Sequence, residues 1–151
     1  MSPDPSEAAG YAKHSPARLS TYREIHESRM DGFATSGFVG EHNLGFEFEG
    51  SGVLVIEGEI SCLGDIVIRV EKYLDVLEED TPDPLVRTYS YSYNASVRGH
   101  GNVVRYDNLH PHEGHPDEHH KHDFDWRTGD ELAPVSPRWV GVAGWPTLSE
   151  F

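Results

Sequence analysis

Apolar and polar positions alternate most clearly in the middle of the chain. Ile66, Ile68 and Val70 alternate with Val67, Arg69 and Glu71, the period of a strand with one buried face. A β-rich run from Val53 to Ile60 precedes it, and Cys62 to Asp65 supply the turn between them. Prolines and like charges then break the chain from Glu78 to Pro84. Alternation resumes from Val86 to Val97, placing Tyr89, Tyr91, Tyr93, Ala95 and Val97 on one face and Thr88, Ser90 and Ser92 on the other, with the tyrosine face expected inward. Arg98-Gly-His-Gly101 has turn chemistry and Asn102 to Tyr106 returns, so residues 85–107 should form a β-hairpin. The pattern predicts an α+β fold built on an antiparallel meander of about four to six strands.

The flanks are less periodic. Residues 1–14 are rich in Pro, Ser, Ala and Glu without a period and are expected to form a disordered tail. Ser15 can cap a short helix with Pro16 in its first turn, and Leu19, Tyr22, Ile25 and Met30 recur at helical spacing until Asp31-Gly32. Residues 32–52 hold six glycines and one short strand, Gly45 to Glu49. The chain thus divides into an N-terminal extension, 1–50, and a β-rich domain, 51–151. At the far end Thr147-Leu-Ser-Glu150 is a capping-box signature, but the chain stops one turn later. A helix that short does not persist alone, so a truncated C-terminal helix is expected, completed by a partner or lost from a longer reading frame.

Composition narrows the setting. A chain of 151 residues can bury a core without staples, and its single Cys62 forms no intramolecular disulfide. No apolar run approaches a membrane span, and Met1-Ser-Pro-Asp-Pro-Ser-Glu lacks the basic start of a secretory signal, so a cytoplasmic protein without membrane contact is expected. Acidic residues number 26 against 12 basic ones, and Lys13, Lys72 and Lys121 are the only lysines. That balance is the wrong sign for a nucleic-acid binder in dilute buffer. It suits a halophile-like acidic surface, because in molar salt the Debye length falls to about 3 Å and crowded carboxylates repel little.

Candidate chemistry lies in Arg105-Tyr-Asp-Asn-Leu-His-Pro-His-Glu-Gly-His-Pro-Asp-Glu-His-His-Lys-His122, which gathers six of the ten histidines into eighteen residues. Imidazole serves as acid, base or metal ligand near neutral pH. If residues 102–107 are a strand, Arg105 and Asp107 point one way and Tyr106 and Asn108 the other, which sets a cation beside a carboxylate.

Arg105-Tyr-Asp-Asn108, a His/Pro-rich spacer and His119-His-Lys-His122, preceded by the Tyr-rich strand and a strand-turn-strand ending in Val70-Glu-Lys-Tyr73, resemble the TumE family of toxins from toxin–antitoxin pairs. The similarity covers about residues 52–150, and residues 1–50 have no recognised counterpart. Membership implies a helix-turn-helix antitoxin as partner; the molecular target is poorly established.

RNA cleavage without a metal needs a base for the ribose 2′-hydroxyl, an acid for the leaving 5′-oxygen and a cation for the phosphate. On an extended segment His120 and His122 share a face and suit acid and base, whereas on a helix His119 and His122 would. Arg105 and Lys121 suit phosphate, and Tyr106 can stack on a base. Asp107 and Asn108 either join this site or organise the turn, and Arg105 could simply pair with Asp107. Of the spacer histidines His110, His112 and His115, His112 is the candidate substrate contact; the alternative for all three is a solvated loop. No cofactor is expected on this reading. Two other classes stay open: a histidine-cluster site for zinc, nickel or copper, and a non-catalytic interaction protein that has decayed from the family. Homodimerisation would protect sheet edges and complete the short helix.

Overall fold

The structure, a computed structural model, describes residues 5–50, 52–78, 80–108 and 119–151. Its elements in chain order are α1 (Pro5–Lys13), β1 (Ala17–Arg18), α2 (Leu19–Thr35), β2 (Val39–His42), β3 (Gly45–Phe48), β4 (Val53–Cys62), β5 (Ile66–Leu77), β6 (Leu85–Val97), β7 (Asn102–Asp107), β8 (His120–Asp123), β9 (Arg138–Trp139) and a 3-10 turn, Val142–Gly144. All strands belong to one antiparallel sheet of order β2-β4-β5-β6-β7-β8-β9, with β1 added to β6 and β3 to β4. The α+β class and the central meander are as expected, but the sheet is larger, because short segments at both flanks pair onto it.

The strands predicted from alternation recur with longer bounds, and β5 carries its alternation on through Lys72, Leu74 and Val76. One face of the sheet buries Ile60, Ile68, Val70, Tyr91, Tyr93 and Ala95 against Met30 and Phe33 of α2 and against Trp145, Leu148 and Phe151. Further along the same face, Leu54, Ile56, Leu74 and Val86 pack against Leu19 and Tyr22. The register slips between Tyr73 and Leu74, which pair with Ser90 and Thr88 and leave Tyr89 as the extra residue of a bulge. Thr88 is therefore buried and Tyr89 exposed, the reverse of the uninterrupted alternation predicted for them.

β2 and β3 share β4 as partner, interrupted at Asn43 and Leu44. Gly58 permits this: its φ is +148°, and the Asn43 side chain crosses so close that its Oδ1 accepts the Glu59 N–H at 2.6 Å.

Several expectations at the flanks are corrected. Residues 5–13, read as part of a disordered tail, form α1, whose buried Gly10 lies against the backbone of Val142. Ser15 bonds back to the carbonyl of Ala12 at the end of α1 instead of capping α2. The second helix starts at Leu19, after Ala17 and Arg18 have paired with β6, and runs through Gly32 to Thr35. The capping box forms as predicted, with Thr147 N–H donating to Glu150 Oε1 at 3.0 Å and Glu150 N–H to Thr147 Oγ1 at 3.3 Å, but no helix is built on it. Among the described residues no helix is long and apolar enough to cross a membrane.

Candidate functional site

β8 returns beside β7 with His122 opposite Arg105 and His120 opposite Asp107. Because successive side chains alternate, these four share one face of the sheet, while Val104 and Tyr106 join the apolar core on the other. The local two-residue spacing puts Arg105 with Asp107 and His120 with His122. The pairing of the two strands brings the couples together.

Asp107 is the centre of the cluster. Its side chain is 2 % exposed, and Arg105 Nε donates to Oδ2 at 3.0 Å. His120 Nε2 lies 2.8 Å from Oδ1, and His122 Nε2 lies 3.7 Å from Oδ2. The two imidazoles meet edge to face with centroids 4.9 Å apart. His120 is fully buried beside Trp139, its cross-strand neighbour on β9, whereas Arg105 remains about a third exposed at the rim. The buried carboxylate has compensation on several sides, as a charge removed from water requires.

A second carboxylate completes the arrangement. Glu131 Oε1 lies 2.6 Å from His122 Nδ1 and accepts a 2.7 Å bond from the Ser136 hydroxyl. Burial alone would push the Glu131 carboxyl upward, but the bonds from Ser136 and His122, with the nearby charges of His122 and Arg105, outweigh it and hold the group below its ordinary range. Backbone bonds carry this segment across β8: Leu132 N–H donates to the Asp123 carbonyl at 2.9 Å, and Asp123 N–H to Ser136 Oγ at 2.8 Å. Neither Glu131 nor Ser136 was singled out from sequence, since no spacing or motif ties them to the histidines.

The other predicted residues are placed elsewhere. His119, one residue out of phase with His120, turns to the core face, where Nδ1 is 3.1 Å from the Tyr91 hydroxyl and the ring stacks on Trp145 at 4.7 Å. Lys121 and Tyr106 meet each other across the sheet, the ammonium 5.7 Å from the ring centroid, but on the face opposite Arg105. Lys121 also pairs with Asp123 at 3.3 Å. Lys121 and Arg105 thus lie on opposite faces of the sheet, as strand alternation requires. Asn108 organises backbone: its Oδ1 accepts from Tyr91 N–H and its Nδ2 donates to the Tyr89 carbonyl, each at 2.9 Å. His110, His112 and His115 lie outside the described residues.

The donor set also has the composition of a metal site. One ligand atom each from Asp107, His120 and His122 falls within 4.8 Å of the others, and all three residues are buried. Zinc and the later divalent transition metals accept imidazole and carboxylate together, and a carboxylate behind an imidazole, as Glu131 is behind His122, orients such ligands.

Comparison with known proteins bears on what this site belongs to. The family model described as Toxin TumE matches residues 33–139, from the last three residues of α2 through β9. The match begins earlier than the resemblance drawn from motifs, taking in β2 and β3, and it holds Asp107, His120, His122 and Glu131 within its bounds. No curated protein and no solved structure matches significantly. With more than half of its residues matched, including every member of the buried cluster, the chain belongs to the Toxin TumE family.

Proposed function

We propose that this protein is the toxin of a toxin–antitoxin pair and cleaves RNA through His122, assisted by Arg105 and Glu131, without a metal. The observation that carries this reading is the His122 ring, held at Nδ1 by Glu131 and presenting Nε2 toward Asp107 beside the rim-exposed Arg105. A carboxylate on Nδ1 orients an imidazole so that Nε2 can exchange a proton with substrate. Arg105 supplies a planar, permanently charged donor for a phosphate. His120, sealed from solvent, acts on this reading as a positioning residue for Asp107, and His122 alone does the acid/base work, taking the ribose 2′-hydroxyl proton as that oxygen attacks phosphorus and, as the imidazolium so formed, delivering it to the 5′-oxygen as the P–O5′ bond breaks. The partner is an antitoxin, of the helix-turn-helix kind on the motif resemblance, and its role is to cover this face of the toxin.

A second reading is favoured by the 4.8 Å convergence of Asp107, His120 and His122: the same site holds a divalent transition metal. One experiment separates them. Purified protein is incubated with structured and single-stranded RNA in the presence and absence of chelator, alongside His122→Ala, Glu131→Gln and His119→Ala. Metal-free acid/base catalysis predicts cleavage that survives chelation and falls about 100-fold or more in His122→Ala. Cleavage lost to chelator and restored by zinc or manganese would establish the metal site instead. Intact RNA with folded wild-type protein under both conditions, or cleavage by His122→Ala at the wild-type rate, would refute the ribonuclease reading.

A further inference from the structure

On the opposite face of the sheet a pocket of about 290 Å³ opens between α2, the strands and the Thr147–Phe151 segment. Its body is apolar, with Met30, Phe33, Ile60, Ile68, Leu148 and Phe151 among its walls. Its floor holds Lys72, 7 % exposed, at a position where the Ile68, Val70, Leu74 alternation of β5 calls for an apolar side chain. An ammonium is a poor choice there unless its charge is used, since removing it from water is strongly unfavourable.

Among the described residues no carboxylate lies within ion-pair distance of Lys72. The Tyr22 and Tyr93 phenols face it, and the amine sits 5.0 Å from the Tyr22 ring centroid. Burial opposes the charge, the phenols offset it, and the group is held above its ordinary range. The chain carries 26 acidic and 12 basic residues, yet among the described residues the charged side chains around this pocket include Lys13, Arg29 and Lys72 with Glu150 as the acid, while Arg87 at its edge turns to the other face and pairs with Asp75 at 3.7 Å. Glu150 is itself held by Lys13 at 3.0 Å. A cationic, apolar-walled pocket in so acidic a protein selects anions with an apolar body.

We propose that this pocket binds a small amphipathic carboxylate, its head group on Lys72 and its hydrocarbon part along Ile60, Ile68 and Met30. The single buried ammonium matches a single negative charge. The pocket's size, at the lower end for ligand sites, suits a short acyl chain. The assignment is independent of the chemistry at Asp107, which lies on the other side of the sheet.

The test uses the full chain and octanoate, with octanol, octylamine, octyl phosphate and acetate as comparisons, by titration calorimetry and thermal shift at fixed ionic strength. Octanoate should bind one to one and at least about tenfold more tightly than octanol, as expected for a hydrogen bond to a charged group. Octylamine should not bind, acetate should not displace octanoate, and Lys72→Met should bind octanoate no better than octanol. Equal binding of octanol, tighter binding of octyl phosphate, or an undiminished preference in Lys72→Met would overturn the assignment. So would the absence of saturable octanoate binding. The comparison of head groups in wild-type protein decides the question even if Lys72→Met fails to fold.

Discussion

His14 offers a quantitative test of how the N-terminal helix is attached. It follows α1, is 8 % exposed, and lies face to face with Trp145 at 3.6 Å and 5°. Its Nε2–H donates to the Trp145 carbonyl oxygen at 3.2 Å. Burial lowers its pKa from 6.5 to about 4, helped by Lys72, Lys13 and His119, with the bond to the carbonyl opposing the shift. In the unfolded chain the ring protonates near pH 6.5, whereas in the folded protein it stays neutral until about pH 4. Above about pH 6.5 there is no penalty; as the pH falls from there, the unfolded state gains protons that the native state refuses, and stability drops until about pH 4. At about 1.4 kcal/mol per pK unit the full effect is on the order of 3 kcal/mol, of which roughly 2.5 kcal/mol has appeared by about pH 4.5.

The perturbation is His14→Phe, which keeps a flat ring for Trp145 but neither titrates nor donates. Its loss of the bond to the buried carbonyl should lower stability by about 1–2 kcal/mol at about pH 8. At about pH 4.5 the order reverses, because the variant escapes the protonation penalty, and it should be the more stable protein by on the order of 1 kcal/mol. Urea unfolding of both proteins from about pH 8 to about pH 4.5, followed by tryptophan fluorescence, measures the difference, in which other titrating groups cancel. Stability curves that run parallel across this range would show that His14 is solvated and that α1 is not docked through it.

Other expectations follow from close packing and buried charge. Asp107→Ala leaves Arg105, His120 and His122 around an empty carboxylate position and should lower unfolding free energy by about 3–5 kcal/mol, with a smaller loss in Asp107→Asn; a loss below about 1 kcal/mol would mean that water reaches the cluster. Gly58→Ala forces a side chain onto Asn43 at a φ of +148° and should lower stability by about 2 kcal/mol or more in the same assay. Gly10→Ala places a methyl group where the Val142 backbone already lies, so α1 should detach and the fluorescence of Trp145 shift to the red while the sheet still unfolds cooperatively; an unchanged spectrum would contradict the docking.

The reach of sequence reasoning differs from one residue to the next. Arg105 and Asp107 were recognisable as neighbours because two residues along a strand return to the same face. The same rule separates Lys121 from His120 and His122 and places it on the face opposite Arg105. Unbroken alternation around Tyr89 points its side chain inward; the bulge that turns it out is set by how β5 and β6 pair, and nothing local marks it. Pro, Ser, Ala and Glu without a period make residues 1–14 read as unstructured, although residues 5–13 form α1 and Gly10 allows its approach to Val142. Family motifs pointed to His119 along with its neighbours, yet its position one residue before β8 sends it into the core.

By itself the sequence determined the properties that depend on residues a few positions apart: the alternating strands, the hairpin turn, the capping box and the concentration of imidazole beside Arg105 and Asp107. Only the tertiary structure decided which histidines meet Asp107, that Glu131 and Ser136 support His122, and that Lys72 sits beneath an apolar pocket. These are contacts between segments distant along the chain. Strand register and core packing choose among their arrangements, whereas the local rules of rotation and alternation constrain one segment at a time.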